Sequence, residues 1–448
     1  MEQSAPEKAD LPRVLGVTSV IGIVMGTMIG SGIFIVPASI AAGLKSPVLM
    51  LAVWVVGGLL TFFGALSLSE LGAAFPQAGG MYVYLKEAYG PLTGFLFGWA
   101  FFLVIDSGTI ATLAVGFSTK YLPYFIKLSP LEAKAAALAL IALLCAVNIL
   151  GVKYGALLQN VLTSIKFAAL AGLCATVFVF AKGNAANFFS PAPERFSMGL
   201  VGKFGVALVA ALWAYKGWES SSFSSGELRN PTRDLPLGIF IGTVLVIALY
   251  ILANMAYLYA FPAGAIAGSA RIAADAMNYA IGPVGASIIA FIILFSISGA
   301  ANGHCLTSPR IYFAMARDGL FFRKLAEIHP KFLTPHFAII ALGVWSAFLS
   351  LTGTFEQLYT YVIFGLWIFM GLTITAVVVL RRRRPDLPRP YRTWGYPVTP
   401  VLFILSAVFI SVNTIINQFK QSMAGLLIIL LGVPAYLYWN NKRFRGKK

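Results

Sequence analysis

The stretch GIVMGTMIGSGIFIVP, residues 22–37, decides how this chain is read. It lies in the first apolar segment, which is long enough to cross a bilayer. Gly22, Gly26 and Gly30 recur every fourth residue, the spacing of a small-residue face that lets helices approach closely. Close packing accounts for Gly22 and Gly26, but less well for Gly30, Ser31 and Gly32. Two glycines around a serine at mid-span weaken the helix without extending that face. An unwound turn there would bare backbone N–H and C=O groups, which a membrane tolerates only where protein or a watery cavity surrounds them. A second half-helix would start near Ile33, its N–H groups and partial positive charge aimed at an anion such as a carboxylate. GSGIFI is not a dinucleotide fingerprint, since the third glycine and the flanking strand are missing.

Outward from this stretch the chain stays apolar. Its 448 residues are 59% hydrophobic and 11% charged, against roughly 25% charged in soluble proteins, so most of its surface must face lipid. With about 20 apolar residues per crossing, spans are expected at 16–41, 47–72, 92–120, 133–151, 157–181, 201–225, 236–262, 282–312, 336–352, 357–380, 397–416 and 422–440. The reading is an all-α polytopic membrane protein of twelve transmembrane helices with short polar connections and no soluble domain. The net charge of +17 would point to nucleic acid if it formed one patch. Here the basic residues are spread between the apolar segments, so nucleic acid is excluded. With the N-terminus inside, 22 of the 33 Lys and Arg residues fall on the inner side and nine on the outer, which places both termini in the cytoplasm. The run Arg381 to Arg384 reads as a topology anchor, with anionic lipid as the other use of such a cluster.

The sixth span, FGVALVAALWAYKGWESSSFSSGELRNP (204–231), also breaks near its middle, around Gly217. Interrupted helices in corresponding positions of two halves are the strongest sequence pointer to a transporter site. Asp106, Lys166, Lys216 and Glu219 lie at membrane depth, where an ionisable residue costs at least about 2.5–3.5 kcal/mol and is retained for pairing or function. Glu219 is placed to pair with Lys216 three residues earlier if that turn is helical. Asp106 reads as structural. Lys166, in TSIKFAALAGL with no acid nearby, can stand in for a bound cation or titrate. Trp213 beside the break can cap a small ligand. Cys145, Cys174 and Cys305 read as small core residues. His304, His329 and His336 have no metal-ligand spacing and offer no catalytic constellation, so neither an enzyme nor a cofactor is expected. Repeated filters or charged rings, which a channel needs, are missing too.

These residues resemble the L-type amino acid transporter family of the amino acid–polyamine–organocation superfamily over nearly the whole chain. GTMIGSGIFIVP (26–37) is similar to its first-helix motif, SELGAAFPQAGGMYVYLKEAYGP (69–91) to the segment after its second helix, and LWAYKGWESSSFSSGELRNPTRDLPLGI (212–239) to its sixth helix. YILANMAYLY (250–259) and SGAANGHCLTSPRIYFAMARDG (298–319), followed by LTP (333–335), match its seventh and eighth. The resemblance implies a leucine-transporter-like fold, with inverted repeats at 1–181 and 201–380, two further helices at 397–440 and a basic tail at 441–448. It implies sodium-independent amino acid exchange by alternating access in the plasma membrane, with proton-coupled symport or a non-transporting amino acid sensor as alternatives. Its carboxylate-binding N–H groups would fall on Ser31 and Gly32 beside Gly30. Its amino-group-binding carbonyls would fall near Met28 and on the broken sixth helix at Trp213 and Lys216, with Thr27, Ala214 and Glu219 also among the substrate-binding residues, its gating aromatic on Trp213, and its sodium-replacing lysine on Lys166. Family members commonly carry Gly where Lys216 stands and often Asn where Glu219 stands, so side-chain selectivity is expected to differ. Heteromeric animal members bind a heavy chain through a cysteine between the third and fourth spans. KYLPYFIKLSPLEAK (120–134) has none, and no disulfide-linked partner is expected.

Overall fold

The computed structural model describes residues 11–190, 197–352 and 355–445, without the side chains of 355–361, 363 and 443–445. From the charge census, Lys8, Arg195, Lys447 and Lys448 lie outside the described residues, as does the end of the basic tail, 446–448.

Helices α1 (Val17–Met28) and α2 (Gly32–Leu44) are the two halves of the first span. Then come α3 (Pro47–Ala74), α4 (Met81–Tyr89), α5 (Pro91–Ala100), α6 (Asp106–Gly116), α7 (Pro130–Ile149) and α8 (Val152–Phe180). The sixth span gives α9 (Met198–Ala214) and the short α10 (Ser220–Phe223), followed by α11 (Pro231–Ala260), α12 (Ala263–Gly268) and α13 (Ile272–Ile281). The chain continues through α14 (Pro283–Thr307), α15 (Pro309–Arg317), α16 (His336–Ser350), α17 (Phe355–Arg383), α18 (Val398–Asn417) and α19 (Phe419–Arg445). Local sequence sets many of these starts. Pro47, Pro91, Pro130, Pro231, Pro283 and Pro309 occupy first helical positions, where the missing N–H costs nothing. Ser129 and Glu132 form a reciprocal capping box on α7.

Among the described residues, ten helical segments are long and apolar enough to cross a membrane. The other two of the twelve expected spans are shorter apolar helices, α9 and α16. Hydropathy marked the sixth span as 201–225, but α9 stops at Ala214 because the chain unwinds there. The molecule is thus a multi-pass all-helical membrane protein.

Packing explains the glycine spacing in α1. A side chain at Gly22 would collide with Asn160 and one at Gly26 with Gln159 and Thr163 of α8. The Thr163 hydroxyl donates to the Gly22 carbonyl at 3.0 Å. The two broken spans cross-pair: α2 lies on α9, and α1 touches α10. Around them stand α8, α11 and α14, all in contact with α1.

The basic run is engaged within the bundle. Arg381 binds Glu70 of α3 through two bonds of 2.8 and 2.6 Å. Thr393 donates to the same carboxylate from its N–H at 2.7 Å and its hydroxyl at 2.8 Å. Arg384 pairs with Glu87 at 2.7 Å. Protein carboxylates therefore take Arg381 and Arg384, which fixes the loop after α17 against α3 and α4.

Candidate functional site

Both breaks lie at the centre of the bundle. Helix α1 ends because Ile29 leaves helical geometry (φ −75°, ψ 84°). The N–H groups of Ser31, Gly32 and Ile33, at the start of α2, donate to no acceptor among the described residues. The Ser31 hydroxyl is fully buried and also without a partner there. Three adjacent amides, one hydroxyl and a helix N-terminus together form a ready anion cradle. Gly32 is required by contact: a β-carbon would come within 2.5 Å of the Ala214 α-carbon.

The second break centres on Gly217, whose φ of +126° favours glycine. Its carbonyl accepts from the Thr27 hydroxyl at 2.9 Å, and its N–H donates to Glu219 Oε2 at 3.0 Å. A β-carbon at Gly217 would sit 2.7 Å from Thr27. Gly217→Ala thus combines backbone strain of about 1–3 kcal/mol with a clash between the two breaks. It is expected to lower transport at least about tenfold and to reduce thermal stability, measured on the purified variant.

The carbonyl ends of α1 and α9 converge on Tyr250 of α11, whose hydroxyl lies 2.7 Å from Met28 O and 3.1 Å from Ala214 O. Lys166 of α8 reaches the same region. Its ammonium donates to the carbonyls of Gly26, of Ile29 (2.7 Å) and of Ser296 (3.3 Å). A cation at the C-terminal end of α1 faces the negative end of the helix dipole.

A buried polar cluster lies beside the second break. Lys216 Nζ is 3.2 Å from Asp106 Oδ1 and 3.7 Å from Glu219 Oε1. Asp106 also accepts from the Ser308 hydroxyl, and its Oδ1 lies 2.9 Å from His304 Nδ1. A wide π-helical turn, Phe101–Ile105, immediately precedes Asp106, an irregularity often found at functional sites.

Between the breaks is a small cavity of about 20 Å³, lined by Thr27, Met28, Gly30, Ser31, Gly32, Thr109, Leu113, Trp213, Lys216 and His304. Its volume suits about one water molecule, so the two breaks leave little space between them. Of the residues nominated from sequence, seven line this space. Ala214 packs directly on Gly32, Glu219 sits behind Lys216, and Lys166 lies on the α1 carbonyls. Thr109, Leu113, His304 and Tyr250 were not nominated, and Asp106 was read only as structural. The signal available for Asp106 and His304 was an ionisable side chain at mid-span. Tyr250 had none, because one tyrosine in an apolar helix reads as packing.

A main-chain latch ties the N-terminal segment to the chain after the second break. The N–H groups of Val14 and Leu15 both donate to the Glu227 carbonyl at 2.9 Å, and Arg229 N donates to Leu15 O at 2.9 Å. The Glu227 carboxylate is buried against Arg310, with Nη2 2.9 Å from Oε1.

Two interrupted helices whose half-helix ends meet around a small central cavity are the arrangement of a membrane transporter's binding site. Comparison with known proteins agrees. The model of the amino acid permease family matches residues 15–434. The chain is 35% identical over 454 residues to human b(0,+)-type amino acid transporter 1, covering 99% of this chain and 91% of that protein. It is 34% identical over 440 residues to the serine/threonine exchanger SteT of Bacillus subtilis, covering 98% and 99%. It is also 34% identical over 443 residues to human large neutral amino acids transporter small subunit 2, covering 96% and 82%. The chain belongs to the amino acid permease family, and within it to the L-type amino acid transporters whose motifs it carries.

Proposed function

We propose that the protein is a sodium-independent exchanger of L-amino acids working by alternating access in the plasma membrane, with both termini cytoplasmic. It is a transporter and not an enzyme. The observation that carries the reading is the pairing of opposite helix ends across one cavity. The amides of Ser31, Gly32 and Ile33 would hold the substrate carboxylate. The carbonyl ends of α1 and α9, near Thr27 and Trp213, would take its ammonium group. Trp213, in the cavity wall, would cap the bound molecule. The cation place at the end of α1 is taken by the Lys166 ammonium, which supports independence from sodium. Exchange is favoured because the name of one relative describes an exchanger over the full length of both chains.

No disulfide-linked heavy chain is needed in this reading. All three cysteines, Cys145, Cys174 and Cys305, are free and buried, which supports a chain that offers no thiol to such a partner. A higher-mass conjugate of the purified protein, seen only without reductant, would contradict this.

The test is uptake of labelled amino acids into proteoliposomes containing or lacking unlabelled amino acid, in sodium and in choline buffer. Uptake is expected to depend on internal substrate, to be indifferent to sodium and to gain little from an inward proton gradient. Uptake driven by the gradient without internal substrate would replace exchange with proton symport, and absence of flux for every amino acid would remove the transport reading.

A further inference from the structure

We infer that this pocket takes amino acids with small, uncharged side chains (glycine, alanine, serine and threonine), and that Lys216, pinned between Asp106 and Glu219, sets the limit. The inference rests on the exchanger reading and deepens it. With the substrate carboxylate on Ser31–Ile33 and its ammonium at the ends of α1 and α9, the side chain faces the rest of the cavity wall. That wall is Thr109, Leu113, Trp213, Lys216 and His304. Lys216 projects from the second break, and its ammonium is held 3.2 Å from Asp106 and 3.7 Å from Glu219.

The lysine is not a movable lid. All three charged groups are buried, with Asp106 and Glu219 fully inaccessible. Withdrawing the ammonium would leave Asp106 with only Ser308 and His304, and removing one partner of a buried pair is strongly destabilising. The hydrophobic return from an incoming leucine or phenylalanine does not offset this. Moreover, the anchor residues of the lysine lie on different elements, Asp106 on α6 and Glu219 beside the break, so rotating the lysine away strands both buried carboxylates at once.

Charge sharpens the limit. A glutamate side chain approaching Lys216 also approaches two carboxylates, and an arginine side chain meets an ammonium that already occupies the place between them. Both are disfavoured in a dry site, where like charges interact strongly. A serine or threonine hydroxyl carries no such penalty and finds polar atoms on Thr109 and His304.

The same geometry predicts how selectivity changes. Lys216→Gly removes four methylenes and one positive charge, and leaves Asp106 and Glu219 facing the vacated volume. A cationic substrate side chain would then replace the lysine between the two carboxylates.

The experiment is exchange in proteoliposomes loaded with unlabelled alanine, with external labelled glycine, alanine, serine, threonine, leucine, phenylalanine, arginine and glutamate. For the wild type, the four small amino acids are expected to exchange at least about tenfold faster than the other four, the discrimination available from steric and charge misfit. For Lys216→Gly, arginine relative to alanine is expected to rise at least about tenfold, the size of effect one altered charge contact supplies in a pocket. Wild-type exchange of phenylalanine, arginine or glutamate at a rate comparable to serine would overturn the inference while leaving the exchanger reading intact. So would a Lys216→Gly protein that exchanges alanine but still rejects arginine. Absence of alanine and serine exchange in the wild type would instead strike at the exchanger reading itself. The wild-type panel decides the selectivity question even if the variant fails to fold.

Discussion

Lys166→Met is expected to abolish exchange while leaving a protein that inserts and purifies. Methionine keeps the volume and apolar stem of lysine but removes the ammonium. Three carbonyls, of Gly26, Ile29 and Ser296, then lose their shared donor. Each buried acceptor left unmade costs about 1–3 kcal/mol, and the favourable cation at the end of α1 is lost as well. The Ser296 hydroxyl still reaches Ile29 O at 3.1 Å, so the region is not stripped of every donor. The loss falls on the position of α1, whose last carbonyls belong to the substrate site. An effect of about 3 kcal/mol on that geometry corresponds to roughly a hundredfold in exchange rate. The measurement is the initial rate of alanine-driven uptake per reconstituted molecule, beside the thermal stability of the same preparation. Retention of more than a third of the wild-type rate would show that the ammonium is a packing feature of α8 and has no part in transport.

Reading the chain as a sequence located the two breaks because each leaves a local mark. Glycines flank Ser31, and polar and bulky residues crowd Gly217. Helix ends are local events, so local sequence reports them. Lys166 was legible for a related reason: an ionisable residue at mid-span is costly wherever its partners are. The partners themselves were not legible. Sequence spacing nominated Glu219 for Lys216, and the two are in contact, yet Asp106 is closer (3.2 against 3.7 Å) from 110 positions away. Only the packing of α6 against α14 and the second break brings that pair together. His304 was weighed as a metal ligand or catalytic base and set aside on both counts, but it lies in the cavity wall because α14 turns it inward. Within the sixth span, hydropathy over 201–225 did not mark the stop of α9 at Ala214, whereas the polar and bulky residues around Gly217 marked the break itself. The basic run of α17 was legible as charge, whereas its acceptors, Glu70 and Glu87, lie some 300 residues earlier.

Glu227→Gln is expected to cost the protein about 3–5 kcal/mol of stability, and the double change Glu227→Gln with Arg310→Met much less than the sum of the two single changes. Arg310 is almost fully buried and draws on both oxygens of Glu227 at 2.9 and 3.1 Å; it also donates to the Leu306 carbonyl. Taking away the carboxylate leaves an uncompensated buried guanidinium, the situation in which breaking a buried pair is most damaging. Removing both charges withdraws the attraction and the desolvation penalty together, so the deficit should shrink. The measurement is the fraction of monodisperse protein left after heating, for the wild type, both single variants and the double variant, treated as a double-mutant cycle. Additive losses would mean that the two side chains act separately. A large coupling would tie the stability of the resting state to the latch, because the Glu227 carbonyl also holds Val14 and Leu15. Those main-chain bonds join the N-terminal segment to the chain after the second break, so the carboxylate and the main chain of one residue would set both how firmly the protein is folded and how readily the latch gives way.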